Sequence, residues 1–60
     1  MFELIFKERE TGKVVYAVTD VTTIRHITPS EVGFTYKGGR ISSCSFPQNE
    51  ELEVKRIDRP

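Results

Sequence analysis

The chain has 60 residues, with nine basic and nine acidic side chains and a formal net charge of zero. That length sets one domain near the lower limit for independent folding, and the balanced charge argues against a dedicated polyanion binder, whose domain is usually strongly basic. Cys44 is the only cysteine, so no disulfide forms within the chain, and Cys44 with His26 are too few soft or imidazole ligands for a metal cage.

Alternation with a period of two predicts strands throughout, with β-branched and aromatic residues filling the runs. The first run, Phe2 to Glu8, puts Phe2, Leu4 and Phe6 on one face. Glu10-Thr11-Gly12 follows as a three-residue hairpin loop closed by Gly12 in the left-handed conformation. The second run, Lys13 to Thr19, puts Val14, Tyr16 and Val18 inward. In this register Arg9 faces Lys13, Phe6 faces Tyr16 and Leu4 faces Val18.

Asp20 to Ile27 carries two signals. Val21, Ile24 and Ile27 recur every third residue, and Asp20 is a fit cap for a short helical turn. The β-branched content favours a strand, because such side chains lose χ1 freedom in a helix. Thr28-Pro29-Ser30-Glu31 has the form of a capping box, but Gly33 follows too soon for a helix, so a turn is expected.

Val32 to Lys37 and Arg40 to Phe46 flank Gly38-Gly39, which predicts a second hairpin with a two-residue type I′ turn. That register faces Tyr36 with Ile41, Phe34 with Ser43 and Val32 with Ser45 on the core side. Gly33 and Cys44 then face each other on the wet side. Pro47-Gln48-Asn49 breaks the ladder, and Glu51 to Ile57 forms a last run with Leu52 and Val54 inward.

The expectation is therefore an all-β fold: a five-stranded antiparallel meander over residues 1–57, curled into a small barrel or half-barrel, with 58–60 as a tail. A flat meander would leave one apolar face exposed, and curling covers it and shortens the edges. A core this small seldom contributes more than about 3–5 kcal/mol, which makes self-association a natural aid. No run approaches the roughly 18 apolar residues of a membrane-spanning helix. Residues 1–7 lack the basic leader and cleavage site of a signal peptide. With one unpaired cysteine, cytoplasmic residence is expected.

No motif implies a cofactor or metal. Cys44 and His26 are the only candidate nucleophile and base, no third orienting group accompanies them, and the expectation is a non-enzymatic chain. Glu50, Glu51 and Glu53 read as a solvated strand face that guards an edge. Gly38-Gly39 lacks the spacing of a phosphate-binding loop.

Two binding readings follow. The first hairpin is apolar on both sides, with Ile5, Val15 and Ala17 on the outer face. Either the fold covers them or they meet another chain, and a contiguous exposed patch of this kind marks an interaction site. The leading expectation is a small module acting through protein–protein contact, with a partner protein or a second copy as a homodimer. The alternative is a nucleic-acid-binding barrel using Arg25, Lys37 and Arg40, drawn from the mildly basic centre. Residues 21–40 carry three basic side chains and one acidic, a charge of +2. Exposed aromatics among Tyr16, Phe34, Tyr36 and Phe46 would be its stacking platforms.

Overall fold

Five strands form where the alternating runs lie, and each pairs antiparallel with its neighbour. A computed structural model describes residues 1–57, so the tail expected at 58–60 lies outside the described residues. The strands are β1 (Phe2–Glu8), β2 (Val14–Ile27), β3 (Glu31–Tyr36), β4 (Ile41–Ser45) and β5 (Glu50–Arg56). They make one sheet in the order β4-β3-β2-β1-β5. The first four are a meander, whereas β5 crosses to the far side and pairs with β1. Among the described residues β4 and β5 do not pair with each other, and β2 pairs with β1 up to Val21 and with β3 from Val21 on, so the sheet is open and the closed barrel does not form.

The sheet is nevertheless strongly curled. Only Phe46–Asn49 separate the two edge strands, and the Glu50 N–H donates to the Pro47 carbonyl at 3.0 Å in a tight turn. Four strand spacings in a flat sheet span about 19 Å. The same link fully stretched reaches only about 17–18 Å, and a turn shortens it further. Curling brings the end of β4 over β1, where Phe46 packs on Phe6 with ring centroids 5.5 Å apart.

β2 supplies the bend, because it holds more residues than either neighbour's register needs. Against β1, Phe6 faces Tyr16 but Lys7 faces Val14, which leaves Val15 as the extra residue. A second extra residue falls between Val18 and Val21, where Asp20 takes a positive φ of 61°. Against β3, Thr22 and Arg25 are the surplus residues. The Thr22 hydroxyl donates to the Thr35 carbonyl at 3.1 Å across the first of these bulges. Each bulge bends the strand and increases its twist. The threefold spacing of Val21, Ile24 and Ile27 is thus a strand feature: they face Tyr36, Phe34 and Val32 in turn, with one bulged residue between rungs.

Both hairpins correct their expected turns. The first loop is four residues, Arg9–Gly12, with Lys13 bonded to Glu8 and the Gly12 N–H donating to the Glu8 carbonyl at 2.8 Å. The bulge at Val15 then restores the expected pairing of Phe6 with Tyr16 and Leu4 with Val18. It also turns Val14, inward by strict alternation, out to face Lys7. In the second hairpin the Gly39 N–H donates to the Tyr36 carbonyl at 3.0 Å, so Tyr36 pairs with Arg40 around a three-residue loop. Gly38, at φ 94°, fills the third position of that turn, where a positive φ is needed.

The longer loop shifts β4 by one residue, and a one-residue shift exchanges the faces of a strand. Ile41 now faces Thr35 on the outer side and is 68% exposed. Cys44 faces Val32 and packs against the core. That core is Leu4, Phe6, Val18, Val21, Val32, Phe34 and Phe46, all buried on the concave side. Phe34→Ala should cost about 3–5 kcal/mol, comparable to the whole stability of so small a core, and remove the cooperative urea transition. Ile41→Ala should change the unfolding free energy by less than about 0.5 kcal/mol. A large loss from Ile41→Ala would restore the two-residue turn. Asp20→Gly should retain stability, whereas Asp20→Val should lower it by about 1–2 kcal/mol, because a β-branched side chain is strained at positive φ.

Candidate functional site

The bulged first half of β2 carries a run of uncovered apolar side chains. Val14, Val15 and Tyr16 are 54%, 52% and 56% exposed in succession. Ala17 is exposed as well, and faces Ile5 across the β1–β2 ladder on the convex side. Ile5 itself is half-buried between Ala17 and Glu53. The three residues expected at a protein contact, Ile5, Val15 and Ala17, therefore stay in one region of the sheet, and no described element covers it. Val14 joins them, whereas Tyr16 keeps to the Phe6 side. Sequence alternation placed both inward, and only the bulge, which no local residue pattern signals, turns Val14 outward.

Tyr16 lies on the concave side with its ring centroid 5.9 Å from that of Phe6. It stands at the mouth of a shallow notch shared with Cys44, Ser45, Phe46 and Glu50. The aromatic set is consequently split. Phe34 and Phe46 are core residues, Tyr36 stacks edge-on against Phe34 at 5.1 Å, and Tyr16 alone offers an open ring face.

Charge borders the convex patch. The Lys7 ammonium donates to Glu53 Oε1 across the β1–β5 ladder. This hydrogen bond, reinforced by the opposite charge, holds the Glu53 carboxyl below its ordinary range and Lys7 above its own. Because the folded carboxyl is depressed, the pair's contribution is complete above the unfolded glutamate pKa and fades as pH falls through the lower folded value. An NMR titration should find the Glu53 midpoint below that of a free glutamate, and Lys7→Gln should return it to the ordinary value. An unshifted midpoint in the wild type would show that the pair is not held in solution.

The remaining candidates do not converge. His26 faces Gly33 on the convex side and its Nε2 lies 3.0 Å from Glu31 Oε1. Gly33 is buried beneath the ring, and a Cβ there would overlap His26. Cys44 is on the concave side, so the sheet separates it from His26, and burial pushes its thiol pKa up, away from the reactive thiolate. Gly33→Ala should expel the imidazole and break its contact with Glu31, seen as loss of the His26–Glu31 cross-peak with the fold retained. An undisturbed ring would show that the sheet, not the histidine, yields.

Lys37 and Arg40 meet at the tip of the second hairpin, where they share a depression with Thr19, Asp20 and Tyr36. The Lys37 N–H donates to the Asp20 carbonyl at 2.8 Å. Arg25 lies at the bulge between Ile24 and His26, away from that depression. Among the described residues no group of three or more His, Cys, Asp or Glu side chains is arranged to hold a metal ion, and no helix is long and apolar enough to cross a membrane. No protein family, curated protein or solved structure matches this chain.

Proposed function

We propose that this domain is a non-enzymatic binding module that works through protein–protein contact, using the convex surface around Val14, Val15, Ala17 and Ile5. One observation carries this reading: Val14 and Val15, consecutive on β2, are each more than half exposed beside the exposed Ala17, in a stretch of β2 that pairs with β1 alone. A contiguous uncovered apolar patch on so small a domain is a favoured contact surface. The Lys7–Glu53 pair at its border supplies the polar rim that such interfaces carry.

Nucleic-acid binding has less support. Asp20 sits in the same depression as Lys37 and Arg40, where a carboxylate opposes a phosphate, and Arg25 is not part of it. The buried rings of Phe34 and Phe46 cannot stack on bases.

The test compares the wild-type protein with Val14→Lys/Val15→Lys and with Lys37→Ala/Arg40→Ala. Contacts with partner chains, followed by affinity capture and sedimentation, should be lost in the first variant and kept in the second. Fluorescence polarisation with a labelled random-sequence oligonucleotide should show no saturable binding, even at low salt. Retained contacts in Val14→Lys/Val15→Lys would overturn the β2 surface. Oligonucleotide binding that weakens steeply with salt and is lost in Lys37→Ala/Arg40→Ala would replace it with the nucleic-acid reading.

A further inference from the structure

We infer that the β4 edge is a self-pairing surface, on which a second copy of this chain adds its own β4 antiparallel to form a continuous two-fold sheet. The inference rests on the protein-contact reading, but it uses a different surface and different groups.

The two terminal strands of the sheet are unlike. β5 holds Glu50, Glu51, Glu53, Lys55 and Arg56 among its seven residues, and charge of that density guards an edge against pairing. β4, Ile41-Ser42-Ser43-Cys44-Ser45, has no charged residue at all. It is a short uncharged edge with small side chains, and Ile41 stands 68% exposed at its start.

The register shows which groups are open. The Tyr36 N–H donates to the Arg40 carbonyl, and the Phe46 N–H donates to the Ser30 carbonyl. Antiparallel ladders alternate, so residues 40, 42, 44 and 46 direct their backbone groups at β3, and Ile41, Ser43 and Ser45 direct theirs outward. A two-fold axis at Ser43 would place Ser43 against Ser43 and Ile41 against Ser45 of the second copy. Every outward N–H and C=O of the strand then finds a partner, with two bonds at each of three residue pairs.

Side chains agree with that symmetry. No like charges face each other along the strand. Arg40 of one copy falls opposite Phe46 of the other, beside Glu50, which lines the same notch as Phe46. Pro47 lies opposite Gly39 and ends the ladder, since proline has no N–H to give. An isologous contact of this kind closes at two copies and leaves the charged β5 edges at the two ends of the joined sheet. Its small area makes it a weak, concentration-dependent dimer.

The experiment is sedimentation equilibrium from micromolar to near-millimolar protein, paired with amide hydrogen exchange at both ends of the range. The wild type should move from 6.9 kDa toward twice that mass. The Ile41, Ser43 and Ser45 amides should gain at least tenfold protection as it does so. Ser43→Pro removes only an outward N–H and should leave a folded monomer. Should that variant not fold, Ser43→Lys sets two ammonium groups face to face across the axis and should likewise stay monomeric. A wild type that remains at 6.9 kDa overturns the self-pairing edge and leaves the β2 surface to its own test. A dimer abolished by Val14→Lys/Val15→Lys, but kept by Ser43→Lys with the three amides unprotected, overturns the edge and supports the β2 surface.

Discussion

A four-residue link between strands at opposite edges of one sheet is the constraint on which the rest of this structure depends. Phe46–Asn49 cannot bridge a flat five-stranded sheet, so the sheet must curl until the end of β4 stands over β1. Curling requires the central strand to be longer on its convex path than its partners. The four surplus residues of β2 meet that requirement, two against β1 and two against β3. Phe46 anchors the geometry by packing on Phe6. Chain connectivity, bulges and one aromatic contact thus act as a single device.

The proposed contact surface is a consequence of the same device. The bulge at Val15 turns Val14 outward and leaves three successive large side chains uncovered at the start of β2. The curl stops short of pairing the edge strands, so β4 and β5 each end the sheet with unpaired backbone groups. One of those edges is dense in charge and the other has none. A domain with so little core leaves much of its apolar surface uncovered, and association with another chain is an economical way to cover it.

Polar residues within the sheet do local structural work. His26 lies over Gly33 and reaches Glu31, covering a stretch of backbone that has no side chain of its own. Lys7 and Glu53 tie β5 to β1 on the convex side. Such roles explain why His26 and Cys44 do not meet: alternation sends one to each face, and a sheet lies between them.

Much of the fold was legible in the residues. Alternation of apolar and polar side chains determined five strands, both hairpins, the inward placement of Leu4, Phe6, Val18, Val32 and Phe34, and the turn at Thr28–Glu31. It also pointed to the first hairpin as the place where apolar side chains outnumber what one face can bury. Tertiary structure alone decided the loop lengths, the bulges, the strand order and the failure of the edges to close. The physical reason is that a turn can gain one residue at almost no local cost, while the face of every residue after it reverses. Ile41 and Cys44 exchanged sides through one added loop residue, and Val14 through one bulge. Only long-range packing, Phe46 on Phe6 and β5 on β1, selects among those registers, and no window of local sequence contains both partners.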